Sequence, residues 1–230
     1  MAKNKKRVLM HVFDSTKLDS FARSLIKMGW EIIAVGKTAE FLQRKGIKVT
    51  SVDEIIDLPL LLKAILARRR SQVDMKQLQR LKIRPIDMMV VNFAPFENAI
   101  QKAGVSFPSV IKWIDISRVT LARAAAKNCR SVTVVTEVDQ YARVFRWLQQ
   151  KKNMPLKLRQ ELAFQAFLQT ALYETVIAYW FWRQSGTSKL PDEFAVRLRK
   201  IADFRRDGRE SALFELTDLP DTSFLHLRFP

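Results

Sequence analysis

Strand-like and helix-like segments alternate along the first 150 residues, and this alternation limits the fold more than any other feature of the sequence. Five apolar runs have the length and residue types of β-strands; they are Arg7–Phe13, Glu31–Val35, Ile47–Val52, Met88–Phe93 and Val132–Thr136. Segments with apolar residues at helical spacing lie between these runs. The order predicts an α/β fold, in which a parallel sheet with right-handed crossovers is flanked by helices.

The segments between the strands supply the predicted helices. Asp14, Ser15 and Thr16 are residue types that cap helices, and an apolar stripe at helical spacing begins at Leu18. The turn Gly36-Lys37-Thr38 leads into a helix that Gly46 ends. Further helical segments are predicted within Leu58–Arg84, which is also basic, and at Pro108–Trp113 and Asp139–Gln150.

The C-terminal third differs in character from the alternating part. A long helix is predicted after Pro155, with a wide apolar face and an end, Tyr179–Trp182, that is apolar nearly all round. This helix either packs on the sheet domain or forms a dimer face. We therefore predict an α/β domain at residues 1–150, a long packing helix of the same domain at 151–185, and a tail at 186–230.

Candidate ligand-binding residues follow the predicted strands. The carboxyl ends of parallel strands meet at one edge of a sheet, where open α/β folds bind ligands. Here those ends are Phe13-Asp14, the turn Gly36-Lys37-Thr38, Asn92–Phe96 and Thr136. Gly36-Lys37-Thr38 looks like the end of an ATP-binding phosphate loop, but Glu31 stands where that motif needs its first glycine, and the residues between are strand-like. We therefore reject the ATP-binding interpretation.

A second candidate site lies in the segment Ile114–Asn128. An extended run, Ile114–Ile116, leads into a helix that Ser117 can cap and that Ala124–Ala126 favour. A helix start beside the Asp115 carboxylate, with Lys127 further on, can hold an anionic or polar ligand.

The charge of the chain permits binding to polyanions. Forty Lys and Arg against 23 Asp and Glu give a net charge of +17. The basic residues are spread along the chain, and no helix-turn-helix, zinc-finger or aromatic RNA-binding signature accompanies them. We expect weak polyanion binding rather than sequence-specific recognition of nucleic acid.

Few residues in the chain suit a disulfide, a metal site or a membrane span. Cys129 is the single cysteine, so no internal disulfide can form, and a reducing, cytoplasmic location is expected. The two histidines, His11 and His226, are far apart in the sequence, and we predict no metal site and no cofactor. No apolar run is long enough to span a bilayer, so no membrane association is expected.

Several segments together resemble one known family. Val12–Arg23 is similar to S-V-S-D-K-T-G-x-x-x-F-A-R, Ala34–Ala39 to S-G-G-T-A, Val90–Phe96 to V-V-N-L-Y-P-F, Ile114–Asn128 to I-D-I-G-G-x-T-x-x-R-A-A-A-K-N and Val132–Val135 to V-T-V-V. These motifs are typical of the IMP cyclohydrolase domain, the N-terminal half of a bifunctional purine biosynthesis enzyme. Its other half is the AICAR transformylase, and this sequence ends where that half would begin, so transformylase activity is not expected. The resemblance covers about residues 7–185, and the tail at 186–230 resembles the segment that joins the two halves.

The resemblance implies a fold, a reaction and site residues. The fold is that of methylglyoxal synthase, the assembly is a homodimer, and the reaction closes the ring of formyl-AICAR ribotide to give IMP. Asp115 and Lys127 match catalytic residues of the family, and Gly36 and Thr38 match the turn that holds the 5′-phosphate. The implied substrate-binding residues are Asp14, Thr16, Gly36, Lys37, Thr38, Asn92, Ile116, Arg118 and Asn128.

The sequence also departs from the family at positions that carry the chemistry. Ala94 replaces the tyrosine of N-L-Y-P-F, Ser15 replaces the lysine of S-D-K-T, and Ser117-Arg118 replaces the glycine pair of I-D-I-G-G. The family's R-V-K-T-L-H-P segment, with a catalytic lysine, has no counterpart. Each lost proton-transfer or oxyanion-stabilising group typically costs ~10² to 10⁴ in rate.

Three hypotheses follow from this combination of resemblance and loss. The leading one is a divergent cyclohydrolase homologue that is impaired or inactive in ring closure but still binds a purine ribonucleotide or another phosphate anion. The second is an active cyclohydrolase in which Lys37, Lys63 or Arg118 substitutes for lost groups. The third is a non-enzymatic protein whose basic surface binds RNA or an acidic partner.

Overall fold

A computed structural model describes residues 5–53, 57–101, 104–151, 153–187, 195, 197–206 and 209–217. The chain divides into two compact units, Met1–Thr170 and Ala171–Pro230, whose boundary falls inside a long helix. The two units are therefore described separately. His226 and the last part of the predicted tail lie outside the described residues.

A five-stranded parallel sheet forms the centre of the first unit, with the strand order β3-β2-β1-β4-β5. The strands are β1 (Arg7–Val12), β2 (Glu31–Val35), β3 (Thr50–Val52), β4 (Met88–Asn92) and β5 (Thr133–Val135). The predicted parallel α/β sheet is thus confirmed. Strand β3 is shorter than predicted because Ile47 belongs to the helix end: it is buried, and its N–H donates to the Leu42 carbonyl.

Nine helices lie within the described residues. They are α1 (Leu18–Lys27), α2 (Gly36–Arg44), α3 (Leu58–Leu66), α4 (Gln72–Arg80), α5 (Phe96–Ile100), α6 (Phe107–Ile111), α7 (Ile116–Lys127), α8 (Gln140–Lys151) and α9 (Leu156–Gln184). The helical segment predicted within Leu58–Arg84 is two helices, because Ala67 is extended and Ser71 accepts a hydrogen bond from the Asp74 N–H to start α4.

Two predicted helix caps are wrong. Helix α1 begins after Lys17, whose backbone is left-handed, and no side chain caps it. Asp115, not Ser117, caps α7, since its carboxylate accepts a hydrogen bond from the Arg118 N–H. Ser117 lies inside the helix, and the extended run therefore ends before Ile116. Both corrections change which side chains are available at the edge of the sheet.

The core lies on both faces of the sheet. Val8, Leu9 and Met10 of the central strand are fully buried, as expected for a parallel strand covered on both sides. Helix α7 packs against α3, and Asn128 at its end donates hydrogen bonds to the carbonyls of Ile65 and Ala67. The buried Asn128 amide therefore fixes the end of α7 against the end of α3.

The second unit contains the remainder of α9 and an antiparallel hairpin, β6 (Arg197–Arg206) and β7 (Arg209–Thr217). The long helix was predicted, and the hairpin was not. Its register shifts between Lys200 and Ala202, which breaks the simple alternation that marks a strand in a sequence. Within the described residues, no helix combines the length and the apolar character needed to cross a membrane.

Candidate functional site

A cleft of about 1150 Å³ lies at the carboxyl edge of the sheet, where a ligand site was predicted. The ends of β1 and β3, the start of α2 and the segment leading into α7 form its walls. Its polar and aromatic lining residues are His11, Phe13, Lys37, Glu40, Ser51, Asp53, Lys112, Trp113, Asp115, Ser117 and Arg118. Three acidic and three basic side chains are among them, so the cleft as a whole is not strongly cationic.

The start of α2 is the part of the cleft best suited to an anion. Gly36 and Lys37 line the cleft, both are exposed, and the first turn of α2 holds no acidic residue. Backbone N–H groups at a helix start, together with a lysine, attract phosphate. Gly36 has φ +47°, a conformation that favours glycine, and nothing lies within 4 Å of where a Cβ would stand.

Thr38 has a structural partner. Its side chain is buried, and its Oγ1 accepts a hydrogen bond from the Val12 N–H at 3.0 Å and donates to the Val12 carbonyl at 3.2 Å. The hydroxyl ties the first turn of α2 to the end of β1. Its predicted contact with a phosphate would require it to give up these bonds.

Asp14, Thr16 and Asn92 form a second structural cluster beside the cleft. Asn92 Oδ1 accepts from the N–H groups of Phe13 (2.7 Å) and Asp14 (2.8 Å), and Nδ2 donates to the Asp14 carbonyl. Asp14 Oδ1 accepts from the Thr16 N–H and hydroxyl, and these bonds lower the pKa of the Asp14 carboxyl. These side chains shape the loop after β1, and none of the three lines the cleft.

Asp115 and Arg118 form an ion pair on the cleft wall. Arg118 Nη1 lies 2.6 Å from Asp115 Oδ2, while Asp115 Oδ1 accepts from the Arg118 N–H at 3.0 Å. The Asp115 side chain is only 3% exposed. Both carboxylate oxygens are therefore engaged by one residue, which stands where the family motif has a glycine.

His11 and Ser117 form another buried pair on the same wall. His11 Nε2 lies 3.2 Å from Ser117 Oγ, and both residues line the cleft. His11 ends up there because β1 runs into the cleft, and Ser117 because it lies in the first turn of α7. An imidazole beside a hydroxyl is a pair that can move a proton. His11 stands at the first serine of S-V-S-D-K-T-G and Ser117 at the first glycine of I-D-I-G-G, so each is larger than the family residue.

Aromatic side chains stand at another part of the cleft. The rings of Phe13 and Trp113 are 6.1 Å apart between centroids and tilted by 53°. Phe13 is 46% exposed and Trp113 is half-buried, and Ile116, which also lines the cleft, is exposed. Rings accessible from a cleft offer a surface on which a flat heterocycle can stack.

Lys127 and Asn128 are not brought to the cleft. They lie at the end of α7, while Asp115 lies before its start, so the helix separates Lys127 from Asp115 by roughly 18 Å. Lys127 is exposed, and Asn128 binds the carbonyls at the end of α3. The structure therefore does not place the two residues predicted to be catalytic, Asp115 and Lys127, in one site of this chain.

Sequence reasoning named Phe13 at a ligand-binding strand end but missed several other lining residues, namely His11, Asp53, Lys112, Trp113 and Ser117 as a cleft residue. Asp53 directly follows a strand, and that position alone could have identified it. Lys112 and Trp113 precede α7 and carry no such signal. Within the described residues, no group of three or more His, Cys, Asp or Glu side chains is placed to hold a metal ion.

The fold and the position of the cleft define a class, that of the MGS-like domains. A family model described as "MGS-like domain" matches residues 17–120, and one described as "AICARFT/IMPCHase bienzyme" matches residues 125–208. The crystal structure of ForH superposes with a TM-score of 0.68 at 22% identity, over 79% of this chain and 99% of that one. The chain belongs to the IMP cyclohydrolase-like group of MGS-like domains.

Curated relatives point to purine biosynthesis. The bifunctional purine biosynthesis protein PurH of Acetivibrio thermocellus is 35% identical over 212 residues, which are 87% of this chain and 41% of that protein. PurH of Lactobacillus acidophilus is 38% identical over 79% of this chain, and PurH of Bacillus subtilis is 32% identical over 94%. The chain spans about two fifths of the length of these relatives, 38% to 44%.

Proposed function

We propose that the cleft binds a purine ribonucleotide and that ring closure of formyl-AICAR ribotide to IMP is strongly reduced in this chain. An IMP cyclohydrolase-like role in purine biosynthesis is supported by the relatives. The start of α2 would take the 5′-phosphate on its N–H groups and Lys37, and the rings of Phe13 and Trp113 would take the base. The cytoplasm is the proposed location, as befits a chain with one cysteine.

One observation carries the proposed loss of catalysis: both oxygens of the Asp115 carboxylate are engaged by Arg118. A carboxylate whose two oxygens are both hydrogen-bonded to a neighbouring residue is less able to turn towards a substrate. The family motif I-D-I-G-G has a glycine where this chain has Arg118, so the aspartate of the motif has no ion-pair partner at that position. Loss of the tyrosine hydroxyl at Ala94, which is buried and lines the cleft, acts in the same direction.

Nucleotide binding is tested by calorimetric titration of the chain with IMP and with AICAR ribotide at moderate salt. We expect saturable binding that weakens about tenfold in Lys37→Ala, because a charge-assisted hydrogen bond is lost. The control is Lys27→Ala, which removes a lysine charge from the last turn of α1, away from the cleft. It should leave the affinity unchanged. Absence of binding by the wild type, or equal loss in both variants, contradicts the proposal.

Catalysis is tested by turnover of formyl-AICAR ribotide beside an intact relative such as PurH of Bacillus subtilis. We expect a rate at least about a thousandfold lower, since at least two groups are lost or engaged. Arg118→Gly frees Asp115 and should raise the rate at least tenfold, provided that thermal unfolding shows the variant to be folded. A wild-type rate near that of the relative overturns the proposed impairment.

A second candidate function is an active cyclohydrolase with a different proton-transfer group, and the His11–Ser117 pair favours it. The expected signature is measurable turnover that survives Asp115→Asn but is lost in His11→Gln. Ser117→Gly, which restores the family residue, should then lower the rate as well. Turnover that is unchanged by both His11→Gln and Ser117→Gly excludes this candidate.

A further inference from the structure

A groove of about 550 Å³ lies away from the cleft, along α4 and the segment that follows it. Met75, Leu78, Ile83 and Pro85 contribute its apolar side chains. Lysine and arginine side chains line it as well, namely Lys76, Lys82 and Arg84. All nine lining residues are described, and none of them is acidic, so the groove combines an apolar floor with a positively charged rim.

The rim charges are available to a partner. Lys76 and Lys82 are exposed, and neither makes a side-chain hydrogen bond or ion pair with any described residue. Arg84 is already engaged, because its Nη1 lies 2.6 Å from Glu31 and its Nη2 donates to the Lys5 carbonyl. The two lysines therefore provide the charge that a bound partner would meet.

The backbone at Lys82 gives an independent sign that this lysine has a use. Lys82 has φ +55° and stands one residue after the C-cap of α4. Its N–H donates to the Gln79 carbonyl and the Ile83 N–H to the Leu78 carbonyl, the paired bonds of a Schellman motif. That position favours glycine, since a Cβ strains the left-handed backbone. A lysine kept at a strained position is a reason to look for a function.

The shape and chemistry fit a short acidic amphipathic segment of a protein. An amphipathic helix lays apolar side chains on an apolar floor, and its acidic residues would then meet Lys76 and Lys82. A methionine such as Met75 adapts to irregular partners. Nucleic acid fits less well, because none of the nine lining residues is aromatic and single strands bind by stacking bases on rings.

We propose that the groove between α4 and Lys82–Pro85 is a docking site for an acidic amphipathic helix of a partner protein. This inference is independent of the proposed nucleotide site, which lies at another edge of the fold. Because the groove holds two available lysines and an apolar floor, binding should need both the charge and the apolar face of the partner.

Fluorescence anisotropy with three labelled probes tests the proposal on the full chain at about 150 mM salt. The first probe is a 15-residue helical peptide with leucines on one face and glutamates on the other. The second is a Glu-Ser peptide of equal length and charge, and the third is a 12-nucleotide oligouridylate. We expect the amphipathic peptide to bind at least tenfold tighter than either other probe. Equal binding of the two peptides, or tighter binding of the RNA, overturns the proposal.

Lys82→Gly is the decisive variant, because it removes the charge while keeping the left-handed turn. We expect it to bind the amphipathic peptide at least fivefold more weakly although its thermal midpoint is unchanged or higher. Lys76→Ala should weaken binding to a similar degree, and Lys27→Ala, an exposed lysine on α1, should not change it. Affinity that is unchanged in both groove variants, or equally reduced in the control, overturns the assignment of the site.

Discussion

At the scale of single residues, Lys17 has a backbone conformation that favours glycine at a position where the family motif has one. Lys17 has φ +57° just before α1 and stands where the family motif S-D-K-T-G has its glycine. A left-handed conformation costs a residue with a Cβ about 1–2 kcal/mol. This chain therefore holds a left-handed backbone at this position without a glycine.

Replacement of Lys17 by glycine is expected to stabilise the protein. The relief of about 1–2 kcal/mol is partly offset by the greater freedom of glycine in the unfolded chain, about 0.4–1 kcal/mol, so the net gain is about 0.5–1 kcal/mol. Urea denaturation measures it. Lys17→Ala removes the charge but keeps the strain, and its stability should stay within about 0.5 kcal/mol of the wild type. An equal gain in both variants would attribute the effect to charge rather than to the backbone.

Glu137 carries a prediction about pH. Burial, and then the neighbouring Asp139, raise the pKa of the Glu137 carboxyl, which also accepts a hydrogen bond from Gln169. A raised pKa in the folded state means that folding disfavours the ionised form, so the contribution to stability is present at low pH and is lost as pH rises through that pKa.

Glu137→Gln should therefore gain stability relative to the wild type as pH rises from about 4 to 7. The amide can still accept the hydrogen bond from Gln169, so the effect comes from the charge. The gain should stay below about 1 kcal/mol, because solvent still reaches much of the side chain. Chemical denaturation at several pH values measures the difference, and a difference that falls with rising pH contradicts the assignment.

At the scale of elements, α7 shows what the sequence could and could not predict. The helix itself follows from Ala124–Ala126 and from a cap at its start. Asp115 and Ser117 are both good caps by residue type, and nothing in their spacing decides between them. Ion pairing of Asp115 with Arg118, and the pair of Ser117 with His11 more than 100 residues away, depend on packing that no local pattern encodes.

The Asp115–Arg118 pair should be strongly coupled in a double-mutant cycle. Arg118→Met leaves the buried carboxylate without its cation and should cost about 2–4 kcal/mol. Asp115→Asn keeps a capping side chain and should cost less, because the Arg118 side chain is 18% exposed, whereas that of Asp115 is 3% exposed. In urea unfolding, the double variant should lose less free energy of unfolding than the sum of the two single losses, by more than about 1 kcal/mol. Additivity within about 0.5 kcal/mol would show that the pair does not act as a unit.

At the scale of the whole molecule, the parallel sheet was predictable because β1, β2, β4 and β5 are largely buried and mostly apolar, whereas β3 is short and exposed. The order of strands and the position of the ligand edge follow from topology. The hairpin Arg197–Thr217 was not predictable, because charged residues and a register shift hide its alternation. A cleft lies at the edge where a ligand site was predicted, and the predicted binding side chains of Thr38, Asn92 and Asn128 are hydrogen-bonded within the chain. The predicted binding roles stay a prediction.

The first half of α9 carries the last prediction, that the chain forms a homodimer through an apolar stripe. Phe164 is 67% exposed, Leu168 44% and Phe167 40%, and they follow one another at the spacing of a single helix face. Exposed apolar residues that are contiguous mark association sites, whereas single ones do not. Light scattering after size exclusion should show a dimer for the wild type and a monomer for Phe164→Gln/Leu168→Gln.

A matched control separates the stripe from exposed apolar area in general. Val73 on α4 is 69% exposed, much like Phe164, but its neighbours along that helix face, Lys76 and Gln77, are polar. Val73→Gln should therefore leave the dimer intact. In the unassociated chain, the stripe substitutions replace apolar side chains that are exposed to water. The substitutions should therefore not lower the denaturant concentration at which the monomer unfolds. A monomeric wild type, or a dimer that survives the double substitution, would place the association elsewhere or exclude it.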